Sequence, residues 1–254
     1  MGPVPEGCEL NADPQVQLVL LDVQRHDLEM DRVRHRRASL PEAVRVADLE
    51  SAARGLDDSI TQAKVEVSDL EAEQRKADAD VDLVRQRSDK DRALLETIND
   101  AKQLSNLQHE LESLARRQAE LEDVELEIME RLDAAHKSLA ALRAERERVG
   151  EELDRARVEL EGALVDLGDE ESVAAAARAA AAGSVPADLL ALYDKLRADN
   201  GGIGAAPLSR GRCEGCRIEL TPVDLGRIRE APESEVIRCE ECRRILVRTS
   251  ESGL

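Results

Sequence analysis

A heptad rhythm of apolar residues runs through most of this chain. From Leu49 onward, apolar side chains recur every seven residues at two positions, and charged residues fill the intervals. A repeat of about 3.5 residues is typical of helices that pack as a coiled coil. The two rows are Leu49, Leu56, Ala63, Leu70, Ala77 and Val84, then Ala53, Ile60, Val67, Gln74 and Val81, with Leu95 in register after a weaker stretch.

A second and cleaner heptad repeat begins near residue 104. One position holds Leu104, Leu111, Leu132, Leu139, Leu153 and Leu160, and the other holds Leu107, Leu114, Leu121, Ile128, Leu142 and Val149. Gln118, Glu125 and Arg146 interrupt the first row. Polar residues in such a seam cost stability and help to fix the register of the helices.

The segment 97–101, which separates the two repeats, has the features of a turn. Asp100 can cap the second helix, and Gln103 completes a variant of the capping box. The helical tracts 14–96 and 101–180 nearly match in length, and a short link between matched helices makes them antiparallel neighbours. A parallel coiled-coil dimer is the alternative, but the central turn argues against it.

Three further signals divide the chain. Asp13 and Pro14 predict the start of the first helix, and Pro41 predicts a break or kink near 39–42, because proline disrupts a helix interior. The Ala-rich run ends at Gly183, and a short amphipathic helix follows. We therefore predict a coiled-coil hairpin over 1–183, a connector helix and loop over 184–206, and a separate small domain over 207–254.

Four cysteines carry the most specific signal. Cys213 and Cys216 form one C-x-x-C pair, and Cys239 and Cys242 form a second. Two such turns supply four thiolates at the corners of a tetrahedron, the arrangement that structural zinc prefers. We predict one structural Zn²⁺; an iron–sulfur cluster or a redox pair is the alternative.

The C-terminal segment is too short to fold on apolar burial alone, so zinc binding would contribute its folding free energy. Segments Ser234–Arg238 and Arg244–Arg248 are predicted to be short strands beside the second pair. The candidate core is Ile218, Leu220, Val223, Leu225, Ile228, Val236, Ile237, Ile245 and Val247. The fold class is thus mainly α, a long antiparallel coiled-coil hairpin with a small C-terminal zinc ribbon built on four cysteines.

Composition supports exposed helices over one large core. The 254 residues include no Trp or Phe and a single Tyr, 36% are charged, and the net charge is −19. Such an acidic chain repels nucleic acid and anionic membrane, and its charge suits either solubility or a basic protein partner. No secretory signal or long apolar run is visible, so we expect a cytoplasmic protein. Cys8 has no nearby partner and is interpreted as incidental.

The stretches Cys213–Leu220 and Val236–Leu246 resemble the end of a bacterial family of C4-type zinc-ribbon, coiled-coil hairpin proteins. Leu107–Leu111, Leu121–Glu130 and the Val185-Pro186 region fit the same family. The resemblance implies a helical hairpin with a ribbon at its base, and a nucleic-acid-binding or regulatory role, tied in some members to sigma factors, flagella or secretion. One departure is Arg243, where the family often has Gly.

The first functional hypothesis is a non-enzymatic adaptor or regulatory protein. The acidic hairpin would contact a basic protein, with RNA polymerase or a sigma factor as candidate partners; whether the chain dimerises is left open. A hairpin tip could probe a basic channel through its acidic residues Asp89, Asp91, Glu96 and Asp100, although a merely solvated tip explains them as well.

The alternative hypothesis is binding of RNA or DNA by the ribbon. The candidate contacts are its arginines, which eight acidic residues offset without any aromatic platform for stacking bases: Arg210, Arg212, Arg217, Arg227, Arg229, Arg238, Arg243, Arg244 and Arg248. An enzyme is not expected, because no phosphate loop or nucleophile–base pair stands out. The histidines fall on predicted helices as solvated side chains: His26, His35, His109 and His136.

Overall fold

The computed structural model describes residues 10–254. The helices are α1 (Pro14–Ala38), α2 (Pro41–Leu95), α3 (Ala101–Ala182), α4 (Ala187–Asp199) and α5 (Pro222–Glu230); the strands are β1 (Ala205–Ser209), β2 (Arg212–Cys213) and β3 (Ile245–Val247). Contacts group the described chain into two units. The first combines residues 10–43 and 159–254, and the second is 44–158, so the first draws on all three segments predicted from the sequence.

The helix boundaries follow local capping signals. The Asp13 carboxylate accepts a hydrogen bond from the Gln15 backbone N–H at 2.8 Å, and Pro14 opens α1. Helix α1 ends at Ala38 and α2 restarts at Pro41, a position where a missing N–H costs nothing. Asp100 accepts from the backbone N–H groups of residues 102 and 103, at 2.9 and 3.0 Å, before α3.

The second unit is an antiparallel pair of helices. The predicted seam residues of α2 and α3 in this unit are buried or half-buried along its length. Ion pairs between the helices show the direction, because partner numbers fall along α3 as they rise along α2. These pairs are Glu50–Arg157, Asp57–Arg146, Glu73–Arg131 and Arg85–Glu122. The predicted hairpin is confirmed, and the parallel pairing is not what this chain adopts.

Each polar residue in the α3 seam lies beside another polar side chain. Arg146 donates to Asp57 at 3.0 Å, and Gln118 donates to Glu122 at 2.8 Å. Glu125 lies against Asp78 of α2, and its partial desolvation, followed by the hydrogen bond and repulsion between the two carboxyl groups, raises the pKa of Glu125. Arg146 and Gln118 are therefore satisfied by hydrogen bonds, whereas Glu125 faces a side chain of like charge.

Asp78→Asn is expected to stabilise the hairpin near pH 7. A carboxyl group whose folded pKa is raised destabilises the fold once the pH passes its unfolded pKa, so wild-type stability falls as the pH rises from about 4.5 through the raised value. The amide removes one of the facing charges. Thermal unfolding followed between pH 4 and 7 should show a higher midpoint for the variant at pH 7 and a weaker pH dependence. Asp80→Asn is the matched control, and an equal gain there would contradict this explanation.

The first unit packs α1, the end of α3 and α4 against strands β1 and β3. Its core includes Leu20, Leu189 and Tyr193, each fully buried, together with Ile245 and Val247 of β3. Gln24 of α1 links this core to the chain before β1 by two hydrogen bonds. Its amide donates to the Gly202 carbonyl at 2.8 Å and accepts from the Gly204 N–H at 2.7 Å. The helices and the ribbon therefore share one hydrophobic core.

A carboxylate is buried at the centre of these helices. Asp27 of α1 is 2% exposed and accepts a hydrogen bond from the Tyr193 hydroxyl at 2.7 Å and from Arg178 Nε at 2.9 Å. Arg197 of α4 lies 3.5 Å away and also binds Asp31 at 2.5 Å. Burial, followed by the hydrogen bond to Asp27, raises the pKa of Tyr193, so its hydroxyl remains a donor. One carboxylate thus ties together α1, α3 and α4.

The ribbon strands differ in part from the prediction. The sheet order is β2-β1-β3, with β1 antiparallel to β2 and parallel to β3. The second predicted strand, Arg244–Arg248, contains β3, but the first, Ser234–Arg238, forms only isolated bridges, such as Arg238 with Ile245. Strand β1 was not predicted because the pairing that creates it, Ala205 with Ile245, is remote in sequence.

Helix α5 was also missed, although a local signal was present. Thr221 caps it by accepting from the Asp224 N–H at 3.2 Å, and Pro222 occupies its first turn. Two predicted core residues are wrong. Val223 faces outward on α5 at 80% exposure, and Ile218, which precedes α5, is 47% exposed. Among residues 10–254, no helix combines the length and apolarity needed to cross a membrane.

Candidate metal centre

The four predicted ligands converge in the ribbon. Their Sγ atoms all lie within 4.8 Å of one another, and the pairs Cys213–Cys242 and Cys216–Cys239 are each 3.9 Å apart. Sulfurs at about 2.3 Å from a tetrahedral zinc lie roughly 3.8 Å from each other. The cluster therefore fits one structural Zn²⁺ with four thiolates and no position left for a reacting water. Cys8 lies outside the described residues.

Two matching turns hold these cysteines. In each turn, the residue after the second Cys donates its N–H to the carbonyl of the first: Arg217 to Cys213 at 2.7 Å, and Arg243 to Cys239 at 2.9 Å. Both arginines have φ near 63°, in the left-handed region. The arginine that replaces the usual glycine at position 243 thus keeps the backbone of the turn, at a steric cost that glycine avoids.

A close approach explains the glycine of the first pair. A Cβ on Gly215 would lie 2.8 Å from Cδ of Arg244 and 3.0 Å from Cβ of Ala206. Arg244 is held there because it donates to the carbonyls of Ile203 and Asn200, at 3.0 and 2.9 Å. The turn therefore packs directly on an arginine that anchors the ribbon to the end of α4.

Burial makes free thiolates unfavourable at two of the four sulfurs in the absence of a cation. Burial raises the pKa of Cys213 to about 12 and also raises the pKa of Cys239. Burial opposes ionisation of Cys242 too, but hydrogen bonds from Arg244 and the neighbouring thiols outweigh it and lower its pKa to about 7. The buried sulfurs need a cation to become thiolates, which is the role of zinc in a closed site.

Arg243→Gly is expected to keep zinc and raise the stability of the protein by about 0.5–1 kcal/mol, because glycine adopts positive φ without strain. Arg243→Val at the same position should lower it by roughly 1–2 kcal/mol, since a branched side chain fits the left-handed region poorly. Urea unfolding of the zinc-loaded proteins measures both. If the two variants are equally stable, the strain at residue 243 is absent.

Most ribbon arginines are already engaged. Arg248 donates to the carbonyls of Pro232, Glu233 and Glu235, at 2.8 to 2.9 Å. Others bind main-chain carbonyls or carboxylates: Arg212, Arg227, Arg238, Arg243 and Arg244. Within residues 10–254, the other three ribbon arginines have no ion pair or side-chain hydrogen bond: Arg210, Arg217 and Arg229.

The acidic residues at the hairpin tip are not equivalent. Asp91 is 3% exposed and continues the α2 seam, where it accepts from Arg87 Nε at 3.2 Å. Because this carboxylate is buried, a partner protein cannot contact it. The prediction that Asp91 is one of the acidic residues with which the tip probes a basic channel is therefore wrong. Asp89 is exposed, and Asp100 caps α3. The heptad register contained this signal, because Asp91 follows Ala77 and Val84 at seven-residue steps.

The four histidines do not gather into a site. All lie on α1 or α3, and His26 is the most enclosed, with Nδ1 at 2.9 Å from a Glu29 carboxylate oxygen. His109 lies in a loose contact with Glu112 at the surface. Among residues 10–254, the four cysteines are the one group of three or more His, Cys, Asp or Glu side chains close enough to share a metal.

Comparison with known proteins agrees with this architecture. Residues 23–201 match the CT398-like coiled coil hairpin domain, and residues 212–246 match the C4-type zinc ribbon domain. The chain is 36% identical over 240 residues to the uncharacterized protein Rv2229c of Mycobacterium tuberculosis, covering 91% of this chain and 95% of that protein. It is 30% identical over 216 residues to ML1638 of Mycobacterium leprae, covering 85% and 93%.

Solved structures show the same fold. A protein of Mycobacterium smegmatis superposes with a TM-score of 0.82 at 36% identity, covering 94% of this chain and all of that one. CT398 of Chlamydia trachomatis superposes with a TM-score of 0.69 at 16% identity, covering 92% and 98%, which supports the fold alone. With its hairpin, its ribbon and its four convergent thiols, this chain belongs to the family of CT398-like coiled-coil hairpin proteins that carry a C4-type zinc ribbon.

Proposed function

We propose that this protein is a non-enzymatic adaptor that binds a basic protein partner through its acidic helices, while Cys213, Cys216, Cys239 and Cys242 bind zinc and hold the ribbon in shape. RNA polymerase and sigma factors are the candidate partners. A closed four-thiolate site supports a structural role for the metal, because no coordination position is left for substrate or water.

The proposal rests on the observation that most ribbon arginines already have partners within the protein. Six of the nine are engaged by the protein itself, and those that bind main-chain carbonyls, such as Arg244 and Arg248, are part of the fold. Nucleic-acid binding needs several cations free to neutralise phosphates. The acid excess of the chain lies instead on the helices, whose outward side chains are available to a cationic protein.

Crosslinked capture from the native host, with the zinc-loaded full chain as bait, tests this function. We expect a protein partner that survives nuclease treatment, is released as salt rises, and is retained by the double variant Arg217→Gln/Arg229→Gln. The alternative, nucleic-acid binding by the ribbon, predicts the reverse: a nuclease-sensitive complex that the double variant loses. Recovery of tightly bound RNA or DNA at physiological salt would overturn the adaptor proposal.

A further inference from the structure

A groove of about 680 Å³ lies between α1 and α3 in the first unit. Asp27 and Asp31 of α1 bind Arg197 of α4. Different residues of α1 line the groove: His26, Glu29, Arg32, Val33 and Arg36. At about 100° per residue, Glu29 lies roughly 200° around α1 from Asp27. The groove is therefore on the side of the α1–α3 pair that α4 leaves uncovered.

The floor of the groove is apolar. Val33 and Ala174 are each 6% exposed and form the seam between α1 and α3, and Ala177 lies beside them. Val173, by contrast, is 71% exposed at the edge of the groove. The apolar surface offered to an occupant is therefore mainly Val173, with the seam beneath it, and this is the position that a third helix takes beside two packed helices in a bundle.

The α3 wall of the groove is acidic. Helix α3 has no Lys or Arg between Val158 and Ala177, and its carboxylates there are Glu159, Glu161, Asp166, Asp169, Glu170 and Glu171. Glu170 is neutralised by Arg36 at 2.6 Å, and Glu171 by Arg34 at 2.9 Å. Asp166 and Asp169 line the groove, and within residues 10–254 neither has an ion-pair partner. The groove as a whole is lined by more carboxylates than arginines: Glu29, Asp166, Asp169 and Glu170 against Arg32 and Arg36. Because the lining is net acidic, an occupant that places cations beside Asp166 and Asp169 would neutralise it.

We propose that this groove binds one amphipathic helix of the protein partner. The apolar stripe of that helix packs on Val33, Val173 and Ala174, and its Lys or Arg side chains pair with Asp166 and Asp169. This inference rests on the proposed adaptor function and assigns the docking surface to α1 and α3 of the first unit. It follows the helix-in-groove mode, in which residues at i, i+3, i+4 and i+7 supply the apolar contacts.

A designed peptide tests the groove directly. The probe is a fluorescent helix of about 18 residues, roughly 27 Å long, with Leu at i, i+3, i+4 and i+7 and Lys elsewhere. Its comparators are a scrambled peptide of the same composition and a peptide with Glu in place of Lys. Binding to the zinc-loaded full chain is followed by anisotropy near physiological salt. We expect the Lys–Leu helix to bind at least about tenfold more tightly than either comparator.

Two groove variants should each weaken that binding by about tenfold or more. Val173→Arg places a bulky cation at the edge of the groove, and Asp166→Lys/Asp169→Lys reverses the charge of its α3 wall. The matched controls are Val65→Arg and Asp154→Lys, which change an exposed valine and an exposed aspartate outside the groove. Both controls should stay within about twofold of wild type. Circular dichroism and zinc content verify that every variant is folded.

Three results with the purified protein would overturn the inference. The scrambled peptide could bind as tightly as the helix, or the groove variants could bind as tightly as wild type. Sedimentation could also reveal a wild-type dimer that Val173→Arg abolishes, which would make the groove a contact between two copies of this chain. Host capture separates this inference from the adaptor function: a partner held equally by wild type and Val173→Arg contradicts the groove alone, whereas no partner for wild type contradicts the adaptor.

Discussion

Cys239→Ser is expected to abolish stoichiometric zinc binding and unfold the ribbon. Cys239 is 1% exposed, and its sulfur lies 3.9 Å from that of Cys216. Zinc binding in comparable small domains supplies roughly 10–16 kcal/mol of apparent free energy, which is also the free energy of folding. A serine hydroxyl is a poor replacement for a thiolate, so the remaining three ligands should hold the metal weakly.

The effect should extend beyond the ribbon. Ile245 and Val247 of β3 pack in the same core as Leu20 and Tyr193, so loss of the ribbon opens one side of the helices in the first unit. Metal analysis should find about one zinc per wild-type chain and far less in the variant, and thermal unfolding should begin at a lower temperature. Cys8→Ser is the control and should retain zinc. Full zinc occupancy in Cys239→Ser would falsify the four-ligand assignment.

Asp27→Ala should destabilise the protein by roughly 3–5 kcal/mol, the usual cost of removing one member of a buried ion pair. The substitution removes the acceptor of the Tyr193 hydroxyl, which is itself fully buried. It also leaves the Arg178 guanidinium without its buried partner, although Asp194 still binds it at 2.8 Å. Urea unfolding monitored by circular dichroism measures the loss.

Two variants separate charge from hydrogen bonding at this position. Asp27→Asn keeps an acceptor for Tyr193 but removes the charge, so we expect an intermediate loss. Asp22→Ala is the matched control, because Asp22 pairs with Arg25 at the surface of the same helix and exposed pairs are worth about 0–1 kcal/mol. If Asp22→Ala and Asp27→Ala lower the free energy of unfolding equally, the buried network around Asp27 stabilises the protein no more than an exposed ion pair does.

Features set by local sequence were predictable. The heptad rows identified the seams of α2 and α3, and the caps at Asp13 and Asp100 marked helix starts, because each depends on residues within one or two turns. The spacing of the C-x-x-C pairs identified the four thiols, since two residues are the spacer that a metal turn requires. Thr221 and Pro222 carry the same kind of local signal for the start of α5.

Features set by distant contacts were not predictable from one sequence. Strand β1 exists because Ala205 pairs with Ile245, forty residues away. Asp27 looks like one more acid on a charged helix, and only its contacts with Tyr193 and Arg178 reveal it as a buried anchor. The groove beside Val173 likewise depends on which side of α1 and α3 is left uncovered by α4.

The amino-acid sequence by itself determined that this chain forms paired helices and a four-cysteine ribbon, because periodicity and spacing act over short distances. The tertiary structure alone decided which charges are buried, which arginines are engaged and which apolar seam is left open. The physical reason is that burial and ion pairing depend on what packs against a side chain. Neighbours from α1, α3 and α4 decide this for Asp27, and no local pattern encodes them.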